Sequence, residues 1–343
     1  MKRLFTLLLA VLLMGTLVAC TNDKQTASES SAVSQTASES YKAVDLTVMG
    51  LKGPTGMGLS KLMDHAEAKT AANNYTFKLT GDPTEVAAAV IKGEVDLAAV
   101  PTNLAATLYK KTAGKVQVIA LNTLGVLYML EDGNTINSVA DLAGKTVYAT
   151  GEGSTPEYIL NYILKANGLD PEKDLTIQWM GEHAELVSAM ATGKTVLGML
   201  PEPNVSTAMS NNAKLRIALN MTEEWKKATT AAGDPTVLTQ GCLIVRKEVL
   251  DANPAAIEKF LEEYKASVDY VNADPAAASQ IIAKHGIVPK APLAQKAIPN
   301  CNICCITGAE MKASLSAFLK VLYEADPTSV GGQLPNDAFY YTK

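Results

Sequence analysis

The sequence predicts an α/β protein of two lobes, each a parallel-dominated sheet flanked by helices, with two strands crossing between the lobes as a hinge. Residues 46–107 align with 146–207 at a constant offset and without a gap, and eleven aligned positions are identical. Average composition would give about four identities in a window of this length. Each copy also alternates strand-like and helix-like runs, which is typical of right-handed βαβ units in a parallel sheet.

The elements of the two copies follow the same order. The first copy predicts strands at 44–49 and 97–100 with a glycine-rich turn at 53–56, and the second predicts strands at 145–150 and 196–200. Between these strands apolar residues recur at helical spacing. The helical stripes consist of Leu59, Leu62, Met63 and Ala66 in the first copy and of Ile159, Tyr162, Ile163 and Ala166 in the second.

The chain continues beyond the second copy. A strand is predicted at 237–245, and a long amphipathic helix begins at Pro254, a residue suited to the first turn. Helices near 275–284 and 310–324 have no counterpart in the repeat. The simplest layout has hinge crossings near 121–130 and 237–245. It assigns 44–135 to the first lobe, 136–236 to the second lobe, and 237–343 to the hinge return and the remainder of the first lobe.

The amino terminus has the layout of a secretory signal. Two basic residues precede an apolar stretch that ends in Leu-Val-Ala-Cys at Cys20. We expect 1–19 to be a signal peptide and Cys20 to carry a lipid anchor; an ordinary signal cleaved before the cysteine is the alternative. Residues 20–43 are rich in Ser, Thr, Ala, Gln and Glu, a composition that favours a flexible tether.

Composition excludes some partners. The chain has 343 residues and a formal net charge of −5, and it contains no basic run with interleaved aromatic residues, so we expect no nucleic-acid partner. After the signal, no apolar run approaches the ~20 residues of a membrane-spanning helix.

The repeat nominates a ligand site. In open parallel α/β sheets, ligands bind outside the carboxyl ends of the strands. In this chain those ends lead into four loops, at 53–57, 101–103, 153–157 and 201–203. The candidate ligand-binding residues are Gly53, Thr55, Gly56, Met57, Thr102, Asn103, Gly153, Ser154, Thr155 and Glu202.

The chemistry of these loops leaves alternatives open. Backbone N–H groups at helix starts, with hydroxyls from Thr55, Ser154 or Thr155, suit a carboxylate, sulfonate or phosphate oxygen, although such hydroxyls also cap helices. Glu202 stands between two prolines and could receive an amine, a ring N–H or an amidine; a solvated loop acid is the alternative. Asn103 could both donate and accept.

Enzyme and metal motifs are incomplete. The Gly-Lys-Thr sequences at 144–146 and 193–195 lack the earlier glycine of a P-loop. The three histidines have no metal-ligand spacing, so we predict no catalytic residue, no metal site and no cofactor. Three readings remain for the Cys-x-x-Cys at 301–304 and its neighbours: a disulfide in which Cys242 pairs with a cluster member such as Cys301, buried free thiols or, third, a metal site.

Several short motifs carry a family resemblance over residues 44–343. They are the lipobox at Cys20, Pro-Thr-Asn at 101–103, Gly-Ser-Thr-Pro-Glu at 153–157, Leu-Pro-Glu-Pro at 200–203, and Gly-Gly-Gln-Leu-Pro at 331–335 with its aromatic ending. With the duplicated lobes, they resemble the ABC-importer receptors for nitrate, taurine, alkanesulfonates and thiamine-pyrimidine precursors.

The resemblance implies a type II periplasmic-binding-protein-like fold and a role as a monomeric, lipid-anchored, extracytoplasmic receptor. Such a receptor delivers a small organic solute, anionic or heteroaromatic, to an ABC permease and its ATPase. Two alternatives remain. The same resemblance extends to pyrimidine-synthesising enzymes that use iron and a cysteine-rich segment, comparable to 301–305, although a signal peptide argues against intracellular chemistry. The other is a surface sensor of the solute.

Overall fold

The strands form two separate sheets. A computed structural model describes residues 41–233 and 235–342, so the predicted signal peptide, Cys20 and nearly all of the tether lie outside the described residues. The first sheet has six strands. In spatial order they are Ile303–Ile306 (β11), Val116–Leu124 (β4), Thr239–Arg246 (β10), Leu97–Pro101 (β3), Asp45–Leu51 (β1) and Asn74–Thr80 (β2).

The second sheet repeats this arrangement with five strands. At one edge of this sheet the last two strands are parallel to each other. Next to the strand at the opposite edge lies a single antiparallel strand. In spatial order the strands are Thr176–Met180 (β7), Thr146–Thr150 (β6), Leu197–Pro201 (β8), Leu127–Asp132 (β5) and Leu215–Asn220 (β9).

Each sheet contains one antiparallel strand that arrives from the other sheet. In the first sheet β10 lies between β3 and β4, and in the second β5 lies between β8 and β9. The remaining repeat strands, β1–β4 and β6–β9, occupy equivalent places. This duplicated architecture confirms the predicted two-lobed, parallel-dominated α/β fold.

The strand exchange bears on the domain division. The predicted layout places 127–135 in the first lobe, whereas β5 (127–132) pairs with β8 and β9 in the second sheet. Its apolar residues are buried, and a continuous apolar run does not indicate which sheet it joins. The sheets therefore favour a first crossing at Gly125 and Val126.

Thirteen helices flank the sheets of the described chain. Local signals define many of their ends: the side chain of Asp82 accepts from the backbone N–H of Thr84 at the start of the third helix, which ends at Gly93 with a left-handed φ of 75°. The helices are Pro54–Met57 (α1), Ser60–Glu67 (α2), Pro83–Lys92 (α3), Thr102–Lys111 (α4), Thr155–Ala166 (α5), His183–Ala191 (α6), Asn204–Asn211 (α7), Met221–Ala231 (α8), Lys247–Ala252 (α9), Pro254–Ala273 (α10), Pro275–Lys284 (α11), Ala291–Ala297 (α12) and Gly308–Ala325 (α13).

Two helices show how the core forms. On α10, Phe260, Tyr264 and Val271 lie on one buried face at helical spacing, as predicted. On α13, Phe318 packs edge to face against Trp225 of α8 with 5.5 Å between ring centroids. Because α8 follows β9 of the second sheet, this contact connects the carboxyl-terminal helix with the second lobe. In the described part of the chain, no helix has the length and apolar character needed to cross a membrane.

Candidate functional site

Polar residues interrupt two buried strands where the chain crosses between the sheets. Asn122 and Thr123 lie near the end of β4, and both are fully buried after an apolar run. Gly241 of β10 is the Cα partner of Thr123. A side chain at Gly241 would overlap Asn122 Oδ1 and the methyl group of Thr55, so glycine allows these residues to converge.

The hydrogen bonds that Asn122 donates fix the orientation of its side-chain amide. Its Nδ2 donates to the backbone oxygens of Thr55, at 3.3 Å, and Cys242, at 3.4 Å. Its Oδ1 is buried and has no hydrogen-bond partner among the described residues. Asn122 therefore presents a fixed acceptor at the crossing.

Further buried polar atoms nearby also lack partners in the described chain. They are Thr123 Oγ1, Thr239 Oγ1 and Gln240 Oε1. Leaving a buried polar group unpaired costs about 1–3 kcal/mol, and native proteins leave few such groups. Several such atoms lie within one short stretch of two adjacent strands, which makes this stretch a candidate ligand site. We call Asn122, Thr123, Thr239 and Gln240 the crossing site.

The second lobe approaches the same crossing through α8. A side chain at Gly125 would overlap the Thr222 hydroxyl, so Thr222 lies directly against the backbone of the crossing. Its backbone N–H donates to Asn220 Oδ1 at 3.0 Å, which caps the helix, while its hydroxyl is another buried oxygen that has no partner within 41–233 or 235–342.

The predicted loop after β1 is mostly occupied by internal contacts. The Gly53 N–H donates to the Ile287 oxygen at 3.0 Å, Gly56 packs against the Leu51 carbonyl, and Met57 is fully buried in the core. We therefore correct the expectation that the Gly53 amide and the Met57 side chain face a ligand. Thr55, which is half-buried, is the member of this loop that touches the crossing site.

The loop after β3 contributes to the hinge. Thr102 is buried, and its hydroxyl donates to the Thr239 backbone oxygen at 3.0 Å. Asn103 is half-buried, and its carbonyl accepts from Thr107. Thr102 therefore holds the strand that carries Thr239, because its hydroxyl proton is already used there.

The turn before α5 is closed by its own residues. The Ser154 hydroxyl donates to the Gly151 oxygen at 2.6 Å, and the Gly153 N–H donates to Glu157 Oε2 at 2.6 Å. Thr155 is buried. The amide that we predicted for a ligand oxygen thus already binds a carboxylate of this chain.

Glu202 is buried and fixed rather than solvated. Asn300 Nδ2 donates to it at 3.0 Å, and Ser206 donates through its hydroxyl at 2.9 Å and its backbone N–H at 3.1 Å. The Tyr128 hydroxyl donates to the Asn300 oxygen at 2.8 Å. Burial raises the pKa of Glu202, although the hydrogen bonds from Asn300 and Ser206 oppose this. Glu202 therefore links the second lobe to the segment that precedes β11.

Sequence comparison places the chain in a family. A profile described as "ABC transporter, phosphonate, periplasmic substrate-binding protein" matches residues 58–292. The chain belongs to this family of substrate-binding proteins. It is accordingly an extracytoplasmic component of an ABC importer, with a small-molecule ligand and an ABC permease as partners, which confirms the resemblance drawn from the sequence. No curated protein matches the chain significantly.

Solved structures show the same fold at low identity. An ABC transporter protein from Parabacteroides distasonis is 24% identical, with 87% of this chain and 99% of that chain covered and a TM-score of 0.72. The aliphatic sulphonate binding protein of Escherichia coli is 17% identical (87% and 92% covered, TM-score 0.67). The nitrate-binding protein of Synechocystis is 15% identical (84% of each chain covered, TM-score 0.56). These structures are those of transport proteins, and none supports the pyrimidine-synthesis alternative.

The cysteines of this substrate-binding protein are free thiols throughout the described residues. Cys242 and Cys301 are both buried, and the disulfide that the sequence left open is not formed between them. Burial raises the pKa of both thiols. They therefore remain protonated at neutral pH.

A histidine joins two acids that lie far away in the sequence. His285 Nε2 is 3.1 Å from Asp64 Oδ1 and its Nδ1 is 3.6 Å from Glu67 Oε1. Among the described residues this is the one group of three or more side chains spaced to share a metal ion. However, the Lys284 ammonium already lies 2.6 Å from Asp64 and 2.7 Å from Glu67, so a cation of this chain already contacts both carboxylates and ties α2 to α11.

A surface cavity of about 920 Å³ lies elsewhere, between α5 and β7. Residues such as Lys165, Glu172 and Trp179 line it, and β7 is the edge strand of its sheet. Its position at the outer edge separates it from the crossing site, so we do not assign the solute to it.

The sequence contains a signal for the crossing site that lies outside the predicted loops. Polar residues within predicted buried strands need partners, and Asn122, Thr123, Thr239 and Gln240 stand inside the two predicted hinge crossings. A prediction restricted to the loops therefore leaves out polar residues of the strands that the loops adjoin.

Proposed function

We propose that this substrate-binding protein encloses its solute between the two sheets, against the crossing site, and releases it to the permease when the sheets separate. The observation that carries the proposal is the set of buried polar atoms of Asn122, Thr123, Thr239 and Gln240 that have no partner in the described part of the chain. They lie on the strands that cross between the sheets, where hinge closure brings two lobes onto a ligand. A solute that pairs with them favours the closed form by the difference in its contacts.

The description of the family and the names of two structural relatives refer to phosphonate, sulphonate and nitrate. We propose a small solute for this chain too. Two of the ligand-binding residues predicted from the sequence, Thr55 and Thr102, lie next to the crossing site. We propose that Thr55 contacts the solute and that Thr102 positions β10. Gly153, Ser154, Thr155 and Asn103 are proposed as rim residues, and Glu202 as a clasp between the lobes.

We propose transport without catalysis. Burial, which is the main cause, raises the pKa of the Cys304 thiol to about 12 and that of Cys305 to about 11. A protonated thiol is a poor nucleophile and a poor metal ligand. We therefore propose a structural role for the segment at 301–305, which lies beside β4.

We further propose a membrane-anchored monomer. The lipobox supports cleavage after residue 19 and lipidation of Cys20, and the polar composition of 20–43 supports a tether. Cys20→Ala should abolish incorporation of labelled palmitate and shift the protein from the membrane to the soluble fraction. If the Cys20→Ala protein carries no labelled palmitate but stays in the membrane fraction, the proposed lipid anchor at Cys20 is contradicted. Light scattering of residues 41–343 should give the monomer mass.

Thermal unfolding of residues 41–343 tests the binding role. A ligand at about 100 times its Kd adds about 2.7 kcal/mol of stability, which is a rise of several degrees in Tm for a protein of this size. We expect such a rise with at least one compound from a panel of phosphonates, sulfonates, carboxylates, amines and nitrogen heterocycles. No rise with any class would contradict the proposal. Deletion of the gene distinguishes transport from sensing: a transport role predicts that solute uptake is lost, and a purely sensing role predicts that it is kept.

A further inference from the structure

The edge of the second sheet that faces the crossing is acidic. A glutamate follows each of its parallel strands: Glu152 after β6, Glu182 after β7, Glu202 after β8 and Glu223 after β9. No lysine or arginine occurs in the stretches 151–154, 181–182, 202–203 and 221–224. Because the carboxyl ends of parallel strands meet at one edge, these four carboxyl groups belong to the same edge of the sheet.

The arginines of the described chain lie at the opposite ends of the strands. Arg216, at the start of β9, pairs with Glu131, and Arg246, at the end of the antiparallel β10, pairs with Asp96. In the first sheet, Lys52 is the basic residue of the loops that follow β1, β2 and β3, and it is exposed. Within 41–233 and 235–342, no arginine is therefore placed to bind an oxyanion at the crossing.

The crossing site itself offers acceptors. Asn122 Nδ2 is engaged by two backbone oxygens, so the unpartnered atom that remains is Oδ1. Gln240 Oε1 is a second carbonyl oxygen that has no partner among the described residues. A carbonyl oxygen accepts hydrogen bonds and cannot donate them, whereas the hydroxyls of Thr123 and Thr239 can do either. A deprotonated phosphonate or sulfonate oxygen has no proton to donate. It would therefore face these carbonyl oxygens as a second acceptor, without a hydrogen bond.

The place where an anion would bind at α5 is also occupied. The Gly153 N–H before this helix donates to Glu157, so the chain's own carboxylate takes the position that helix starts offer to anions.

We infer that the solute is a neutral or cationic nitrogenous compound whose N–H groups donate to Asn122 Oδ1 and Gln240 Oε1, and not an oxyanion. This inference rests on the proposed function, because it names the ligand class of the same site. The acidic edge of the second sheet attracts such a compound, and the hydroxyls of Thr123 and Thr239 complete its hydrogen bonds.

A panel with two arms tests the inference. Residues 41–343 are titrated with nitrogenous donors (cytosine, adenine, agmatine and spermidine) and separately with oxyanions (methylphosphonate, ethanesulfonate and nitrate). We expect a Tm rise in the first arm only. A rise in the oxyanion arm alone would overturn the inference and leave the proposed binding function intact. No rise in either arm would count against both.

Matched variants locate the binding. Thr123→Val removes an unpartnered buried hydroxyl and keeps the shape, so we expect the free protein to be at least as stable as the wild type while affinity for the responding nitrogenous compound falls about three- to tenfold. Thr229→Val is the control: this buried hydroxyl in α8 accepts from the Thr236 N–H, so stability should fall and affinity should not. If Thr123→Val does not fold, Thr239→Val serves instead. Unchanged affinity in the folded variant would overturn the assignment.

Discussion

Glu202 and Asn300 are hydrogen-bonded at 3.0 Å, and this contact connects the loop after β8 with the segment leading into β11. The carboxylate is buried, so loss of the Asn300 donor is not compensated by water. Asn300→Ala should lower the free energy of unfolding by about 1.5–3 kcal/mol and raise the radius of gyration, because a contact between the lobes is lost. Urea unfolding and X-ray scattering measure the two effects.

Lys296→Ala is the matched control for Asn300→Ala. Its ammonium donates to Ser210 at 3.1 Å across the same interface, but the contact is exposed. Lys296→Ala should change stability by no more than about 0.5 kcal/mol. Equal effects of Asn300→Ala and Lys296→Ala would show that burial of the Glu202 contact contributes nothing.

Two buried glutamates should give opposite pH dependence. Burial alone would raise the pKa of Glu131, but hydrogen bonds from Thr135, Ile136 and Arg216 outweigh it and hold that pKa below 4.5. The stability from Glu131 is therefore present above pH 4.5 and lost as the pH falls through the lowered pKa. The pKa of Glu202 is raised by burial, so its contribution is present below pH 4.5 and lost as the pH rises through the raised value.

Urea unfolding from pH 3 to 7 distinguishes the two groups. The stability difference between wild type and Glu131→Gln should grow with rising pH and reach about 1.5–3 kcal/mol at neutral pH. The difference between wild type and Glu202→Gln should shrink over the same range. Parallel curves for the two variants would refute the assigned environments.

The thiols should report the fold directly. In residues 41–343, a thiol reagent should leave Cys242 and Cys301 unreacted until the protein unfolds, because both are buried, while the partly exposed Cys305 reacts slowly. In urea without reductant all four thiols should react. Finding only two under those conditions would demonstrate a disulfide.

Gly241 should be intolerant of a side chain. Gly241→Ala would place a methyl group against Asn122 Oδ1 and Thr55, so we expect a loss of about 1–3 kcal/mol in stability and of solute binding, measured by calorimetry. Gly81→Ala is the control, because no atom of the described residues lies within 4 Å of its added methyl group. Normal binding by Gly241→Ala would place the solute elsewhere.

Much of the fold was predictable because local periodicity determines it. The repeat strands and helices appear at the expected positions, including the buried face of α10 with Phe260 and Tyr264. The lobe of β5 was not predictable, since a continuous buried run pairs equally well in either sheet. The contact of His285 with Asp64 joins residues 221 positions apart, and no spacing rule covers that separation.

The sequence predicts a site in the loops at the carboxyl ends of the strands, whereas the crossing site that we propose lies on the strands themselves. The loops after β1 and β3 do adjoin the crossing, yet the Gly53 amide binds Ile287 and the Thr102 hydroxyl binds the Thr239 carbonyl. These partners come from a different part of the chain, after the second copy of the repeat. Which polar atoms remain unpaired therefore depends on tertiary packing that the sequence pattern does not reveal.

Hydrogen exchange with and without a stabilising solute tests enclosure between the sheets most directly. If the solute binds at the crossing site and the lobes close on it, amide exchange should slow both at 121–125 and 238–242, on the crossing strands, and at 151–157 and 202–206, on the second lobe. Protection confined to one sheet, or protection centred on the cavity between α5 and β7, would contradict the account.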